Sequence, residues 1–244
     1  MKEPKTGFHY VIVNFLPASP GSVAAFNVIL AMVIVAFHGG VYFVNRADPG
    51  KARRLTMRTA VVATAWLGLL SWLVGSGTLQ RFPFAGIPFF FGAVLLASLA
   101  VGLSPLGGRL ATGLPMSALV GFQSFRLPLE LVLHSWSEQG TIPSSMTWNG
   151  QNWDIISGIM ALAAIPFVHR LRALAVVVNC VGFALLLNVI RVAVMSSPLP
   201  IGWNVSPPLL LALHLPYALI GPVCVSGALI GHIVLTRALI GRST

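Results

Sequence analysis

The sequence predicts an all-α integral membrane bundle of about seven transmembrane helices, with the N-terminus outside and the C-terminus in the cytoplasm. Composition gives the first reason, because 56% of the residues are hydrophobic, 8% are charged and the mean hydropathy is +0.87. A soluble domain carries about 25% charged residues. The second reason is a series of apolar stretches near the ~20 residues that a helix needs to cross a bilayer. The third is the distribution of basic residues between those stretches.

Connectors rich in glycine and proline separate the apolar stretches, and these residues favour turns. The stretches cover residues 23–44, 59–77, 88–103, 114–136, 155–168, 173–195 and 209–235. The third and fifth are short for ~30 Å of hydrocarbon, so we expect their ends to extend into the flanking loops. The seven stretches define a transmembrane domain over residues 23–236. An outer or interfacial segment, 1–22, precedes it, and a short basic cytoplasmic tail, 237–244, follows.

Basic residues outside the apolar stretches give the orientation. Placing the first connector inside puts ten basic residues inside and three outside, which agrees with the excess of Lys and Arg in cytoplasmic loops. The inside set is Arg46, Lys51, Arg53, Arg54, Arg58, Arg109, Arg170, Arg172, Arg237 and Arg242, and the outside set is Lys2, Lys5 and Arg81. The basic residues behind the net charge of +10 therefore set the orientation of the protein in the lipid bilayer, and we expect no nucleic-acid partner.

The fourth stretch carries polar residues at helical spacing. Gln123, Arg126, Glu130 and His134 are three, four and four residues apart, so a helix places them on one face. A charge near the bilayer centre costs at least ~2.5 kcal/mol on insertion scales, and such residues usually face a bundle interior or a wet cavity. Arg126 falls near the midplane, with Glu130 and His134 stepping outward. The spacing also lets Arg126 and Glu130 neutralise each other in a purely structural pair.

Other polar residues fall at the same outer depth, and Asp154 is expected to begin the fifth stretch at the outer face. We therefore predict an outward-facing polar pocket. Its residues are Gln123, Arg126, Glu130, His134, Asn152, Asp154, Asn188, Arg191 and His214. With His134 neutral, the formal charge of the pocket is near zero, which favours a zwitterionic or weakly charged ligand. For Arg191 taken singly, and for His38 and His232, a structural role is the expectation.

Three classes of function remain open. A ligand-binding protein or transporter would use the pocket to bind a small ligand or to pass protons through Glu130 and His134. An auxiliary subunit would use the same polar residues to join helices, and would present apolar surface to a partner subunit or a pigment. A membrane enzyme would need a nucleophile or metal that the residues do not identify.

Cofactor chemistry is constrained by what the apolar stretches contain. A retinal site is excluded because the last stretch has no lysine. His134, Asp154 and His214 lack the HxxxH or HExxH spacing of a zinc hydrolase, and no metal site is predicted. Haem held between His134 and His214 would require both at equal depth, so the cofactor is left open.

Two resemblances bear on the class of protein. Asn188 to Arg191, followed by His214, resembles the arginine and histidine motifs of exosortase-type membrane transpeptidases. That resemblance implies a cysteine nucleophile one helix upstream, where Trp148 to Gly150 has none, and Cys180 shares the helix of Arg191.

The second resemblance covers about half of the chain when the sixth apolar stretch, with Asn188 to Arg191, is included. The sequence resembles a set of bacterial polytopic membrane proteins that have an FRxPxExxLH segment followed by MT, a glycine turn and NxDI. The matching residues are Phe125, Arg126, Pro128, Glu130, Leu133, His134, Met146, Thr147, Gly150, Asn152, Asp154 and Ile155. This resemblance implies a bacterial inner-membrane protein and no known activity.

Overall fold

The computed structural model describes residues 15–81 and 83–241, and this part of the chain is all-helical. Helix accounts for 77% of the structure, with no strand among the described residues, so the all-α part of the predicted fold class is confirmed. Residues 1–14 of the predicted N-terminal segment and 242–244 of the predicted tail lie outside the described residues.

Ten α-helices follow one another along the described chain. They are α1 (Pro20–Val44), α2 (Pro49–Gly75), α3 (Thr78–Arg81), α4 (Pro83–Leu103), α5 (Pro105–Gly113), α6 (Met116–Gly121), α7 (Arg126–Glu138), α8 (Ile155–Ala164), α9 (Arg172–Ser196) and α10 (Ser226–Gly241). A 3-10 turn, Phe122–Phe125, joins α6 to α7. A π-helical segment, Ile220–Val225, leads into α10.

Six helical segments of the described chain are long and apolar enough to cross a membrane. They are Pro20–Val44, Pro49–Gly75, Gly86–Leu103, Met116–Glu138, Arg172–Ser196 and Tyr217–Gly241. The predicted fifth span contains a helix of 10 residues, α8, which at about 1.5 Å per residue reaches only half-way across ~30 Å of hydrocarbon. The described part of the chain therefore has six candidate membrane spans and one shorter apolar helix, α8.

Three helices begin with the same local chemistry. Ser19, Asp48 and Ser104 are the N-cap residues of α1, α2 and α5, and each accepts a backbone N–H with its side chain. Each cap is followed by proline at the first helical position, where the missing N–H has no intrahelical partner to lose. These Ser-Pro and Asp-Pro pairs fix where the helices start.

The last helical segment is the centre of the bundle. Of its most apolar window, 72% is buried, against 11% for α2 at the edge. Pro222 lies within the π-helical segment and has no N–H for the carbonyl of Ala218, so the regular hydrogen-bond ladder breaks there. Such π segments are frequent at functional sites.

Between α7 and α8 the chain folds back into the bundle. We call residues 139–154 the inserted loop, because Ile142, Met146, Thr147 and Asn152 are all buried. Backbone hydrogen bonds hold its turn, with the N–H groups of both Gly150 and Asn152 donating to the Thr147 carbonyl at 2.9 and 3.2 Å. The inserted loop therefore carries Asp154 into the interior of the bundle, where it is the N-cap residue of α8.

An aromatic cluster packs the other end of α7. Trp136 is fully buried, lies edge-on to Phe26 and Tyr217, and donates its indole N–H to Ser22 at 3.1 Å. Tyr217 in turn accepts the backbone N–H of Ala18 at 2.9 Å. These contacts fix α7 between α1 and the central segment, and thereby fix the height of the polar residues on α7.

Candidate functional site

Arg126 and Asp154 form a buried bidentate ion pair. The Nε of Arg126 donates to Asp154 Oδ2 at 2.5 Å, and Nη2 donates to Oδ1. Both residues are shielded from solvent, with exposed fractions of 1% and 4%. Ser157, one turn into α8, adds a hydrogen bond to Asp154 Oδ1 at 3.0 Å. The sequence had offered Glu130 as the structural partner of Arg126, and the structure gives that partner as Asp154.

The remaining donor group of Arg126 joins two further helices. Nη1 donates to the carbonyl of Gly182 in α9 at 3.0 Å and lies 3.0 Å from Nε2 of His232 in α10. An arginine can only donate, so His232 Nε2 accepts and its proton sits on Nδ1. Nδ1 then donates to Asn179 Oδ1 at 3.0 Å. The guanidinium thus connects α7, α8, α9 and α10, and its three nitrogens are all used.

Close backbone approach makes room for this cluster. A Cβ at Gly182 would fall against the His232 ring and Arg126, and one at Gly158 would fall on the backbone of Leu127. The two glycines therefore let α9 and α8 approach α7 closely enough for the ion pair to form. We call Arg126, Asp154, Ser157, Asn179, Gly182 and His232 the arginine cluster.

Glu130 lies one turn further along α7 and has a different environment. Its side chain is 1% exposed, and both carboxyl oxygens accept from Nδ2 of Asn152, at 2.9 and 3.0 Å. Asn152 also donates to the Met146 carbonyl and accepts the N–H of Asp154, so the inserted loop holds it rigidly. Among the described residues no cationic side chain is within ion-pair distance of Glu130.

A narrow cavity of about 50 Å³ opens onto these carboxyl groups. It extends from α7 to Ser197 and Leu209, at the end of α9 remote from the basic residues that begin that helix. The polar lining residues are Arg126, Glu130, Asp154 and Ser197. The rest of the wall is apolar or sulfur-containing, so the cavity presents one carboxyl corner to an otherwise apolar space.

His134 lies outside that cavity. Its ring stacks on Trp148 of the inserted loop with centroids 4.1 Å apart, and its Nε2 is 3.5 Å from Glu138. Its Nδ1 is buried without a hydrogen-bond partner among the described residues. His134 is thus placed between the buried carboxyl corner and the exposed Glu138.

Four other predicted residues are not brought into the carboxyl corner. Arg191 is exposed and donates to Asn188 and Gln151, and Asn188 donates to the Gln151 carbonyl. His214 stacks on Phe15 with ring centroids 4.0 Å apart. Gln123 is buried and donates to the Ala228 carbonyl at 3.3 Å, while its Oε1 has no partner among the described residues.

The sequence analysis did not assign four members of the arginine cluster to the site, namely Ser157, Asn179, Gly182 and His232. An asparagine and a histidine inside long apolar stretches are the signals that could have indicated them, because a polar side chain there needs a buried partner. His232 was expected to have a structural role, and its hydrogen bond to Arg126 is of that kind.

Among the described residues, no group of three or more His, Cys, Asp or Glu side chains is arranged to hold a metal ion. Cys224 lines the cavity beside Glu130, whereas Cys180 is exposed. Arg191 and His214 have the separate partners given above, so the residues of the transpeptidase resemblance do not form one site.

Comparison of the chain with protein-family models, with curated proteins and with solved structures gives no match in any of the three. The bacterial resemblance stated from the sequence therefore stays a prediction.

Proposed function

We propose that this protein is a multi-pass membrane protein that binds a small ligand or a proton at Glu130, which the cavity reaches from the outer side. The observation that supports this proposal is the contrast between two buried carboxyls. Asp154 is neutralised by a bidentate arginine, whereas Glu130 has a neutral amide and faces a cavity. The arginine cluster is the scaffold, and Glu130 is the group left for function.

The cost of burial makes Glu130 a binding group. A carboxylate removed from water without a cation is expensive, so it must gain a proton, a cation or a hydrogen-bond donor. With the Arg126–Asp154 pair neutral, the corner carries at most the single negative charge of Glu130. The preferred ligand is therefore one that brings a donor or a positive charge, which narrows the zwitterionic or weakly charged ligand that the sequence favoured.

The size of the cavity limits what Glu130 can receive. A volume of about 50 Å³ holds a few water molecules, since each water needs roughly 10–15 Å³ of cavity. A proton carried by water is therefore the smallest occupant, and a larger ligand requires movement of the apolar wall. His134 and Glu138 supply titratable groups towards the outside, whereas the arginine cluster closes the inner end.

We also propose the orientation and location given by the basic residues. The N-terminus is outside and the C-terminus is cytoplasmic in a bacterial inner membrane, and the apolar stretch 155–168, of which α8 forms the first ten residues, counts as the seventh crossing. Support comes from the ten-to-three distribution of basic residues outside the apolar stretches. Reporter fusions after Arg54 and after Gln139 should localise to opposite sides, and finding both on one side would contradict this topology.

Infrared difference spectroscopy between acidic and alkaline pH tests the role of Glu130. In the purified protein, a carboxyl that gains a proton in an apolar site shows a C=O stretch that water-exposed carboxyls do not share. We expect Glu130→Gln to remove that band and to leave a folded, monodisperse protein. The matched control is Glu138→Gln, which removes an exposed carboxyl at the C-terminal end of the same helix and should leave the band unchanged. A band that survives Glu130→Gln would rule out Glu130 as the titrating group.

A second candidate function is that of an auxiliary subunit, and the exposure of α2 favours it. Trp72 is 64% exposed and Val62 is 69% exposed, on a helix that packs mainly against α1. This face can contact lipid or a partner subunit that carries a pigment or cofactor. Purification from native membranes separates the two candidates, because stoichiometric partner chains support the subunit and a monomer with an infrared-active Glu130 supports the ligand-binding protein.

A further inference from the structure

A second cavity lies at the end of the bundle that carries the basic connectors. It is a half-open groove of about 460 Å³ with walls from α1, α5, α6 and α10. Every lining residue is apolar, glycine or proline, and Phe37, Phe43, Leu114 and Val234 are among them. We call this cavity the α1–α5 groove. It shares no lining residue with the cavity at Glu130.

Glycines on α1 keep the groove open. A Cβ at Gly39 would meet no atom within 4 Å, and one at Gly40 would meet only the side chains of Leu110 and Leu114 at ordinary contact distance. The wall from Ala36 to Phe43 extends for about 10 Å at about 1.5 Å per residue. The groove therefore has the length and the apolar lining to take a segment of one hydrocarbon chain.

Two arginines on the side of the basic connectors are next to lining residues of the groove, Arg46 by contact and Arg109 by sequence. The guanidinium of Arg46 lies over the Phe43 ring, 3.6 Å from its centroid, and Phe43 is itself a lining residue. Arg109 is exposed and directly precedes Leu110, another lining residue. The acid nearest in sequence to Arg46 is Asp48, whose carboxylate caps α2 by accepting the N–H of Lys51.

Neither of these two arginines has a carboxylate partner in the described part of the chain. The ion pairs found there are Arg126 with Asp154 and His134 with Glu138. An apolar groove beside two cations without carboxylate partners complements a molecule with a hydrocarbon tail and an anionic head. Anionic phospholipids have this chemistry, and basic pockets between transmembrane helices are known to bind their head groups.

We propose that the α1–α5 groove binds one acyl chain of an anionic phospholipid from the leaflet on the basic side, with the lipid phosphate at Arg46 and Arg109. The tail packs along Phe37 and Leu114, and the head remains at the membrane surface. This site is independent of the function proposed for Glu130.

Native mass spectrometry of the detergent-purified protein tests the site, with phosphatidylglycerol and phosphatidylcholine of identical chains as probes. The wild type should retain phosphatidylglycerol in preference to phosphatidylcholine. Gly39→Leu fills the groove and should weaken retention of both lipids about tenfold, since each methylene excluded from an apolar site lowers affinity several-fold. Ala36→Leu is a second filling variant, should Gly39→Leu fail to fold.

Matched controls separate a site from general lipid adhesion. Gly68→Leu places the same side chain on α2 where a Cβ would also meet nothing within 4 Å, and it should retain lipid as the wild type does. Arg46→Gln with Arg109→Gln should abolish the preference for phosphatidylglycerol, whereas Arg53→Gln with Arg54→Gln should keep it.

Three results would overturn the proposal. They are equal lipid retention by the filling variants and the wild type, loss of preference in both arginine pairs alike, and a co-purified protein helix that excludes lipid from the groove.

Discussion

Asp154 and Glu130 are two carboxyls buried to a similar extent within one bundle, yet they have different hydrogen-bond donors. Asp154 accepts two donors from Arg126 and one from Ser157. Within the described part of the chain, Glu130 accepts only from the side-chain amide of Asn152, and it borders a cavity. A bidentate cation favours the ionised form of a buried carboxyl, whereas a neutral amide brings no charge to balance it. Burial alone therefore does not distinguish the two carboxyls, whereas the hydrogen-bond partner of each one does.

The largest expected effect comes from breaking the ion pair from one side. Arg126→Met leaves Asp154 buried without its cation and should destabilise the protein by about 3–5 kcal/mol. Expression level and thermal unfolding in detergent measure the loss. Adding Asp154→Leu should restore much of the stability, because a buried pair replaced by apolar residues is often neutral.

A matched double variant distinguishes the two carboxyls. Arg126→Met with Glu130→Leu removes the carboxyl that the helical spacing offered as the partner, and it leaves Asp154 unpaired. We expect no recovery in this variant. If Glu130→Leu restored the stability of Arg126→Met and Asp154→Leu did not, Glu130 would be the partner of Arg126 in place of Asp154.

The next effect tests whether close helix packing supports the arginine cluster. A Cβ at Gly158 would fall on the backbone of Leu127, so Gly158→Ala should push α8 from α7 and cost about 1–3 kcal/mol. Gly68→Ala is the control, since its Cβ meets nothing and the change should be neutral or stabilising by up to about 1 kcal/mol. The unfolding temperature of Gly158→Ala should therefore fall, whereas that of Gly68→Ala should rise or stay unchanged. Equal shifts would show that the contact at Gly158 is not tight.

A smaller effect concerns the amide that faces Glu130. Asn152→Ala removes its hydrogen bonds to the carboxyl and to the inserted loop, and should cost about 1 kcal/mol of stability. The infrared C=O stretch of Glu130 should also move, because the hydrogen bond that perturbs it is lost. Ser157→Ala provides the control, since Ser157 bonds to Asp154 and its loss should leave that stretch in place. An unmoved stretch in Asn152→Ala would contradict the hydrogen bond as the main influence on Glu130.

The sequence was enough to predict the all-helical class and the placement of Arg126 and Glu130 on one face of α7, because helical spacing and hydropathy are local properties. It could not give the partner of Arg126, since Asp154 is 28 residues away and reaches the interior only through the fold of the inserted loop. Equal depth in an assumed set of spans was the argument for including Arg191 and His214. Depth does not determine the face of a helix, and the structure turns both towards other partners.

The smallest expected effect comes from Arg191, the other arginine that the sequence assigned to the membrane. Arg191 is exposed, with side-chain partners Asn188 and Gln151, and its guanidinium lies 5.3 Å from the centroid of the Trp203 ring. Exposed polar contacts of this kind contribute little, because water replaces the lost partner and the long side chain regains its freedom. We therefore expect Arg191→Gln to change stability by less than about 0.5 kcal/mol. Thermal unfolding of Arg191→Gln and of Arg126→Gln should be measured together, since the same substitution is then made in an exposed and in a buried arginine. A loss at Arg191 as large as that at Arg126 would mean that the exposed arginine also holds the bundle together, and the arginine cluster would then not be the sole scaffold around Glu130.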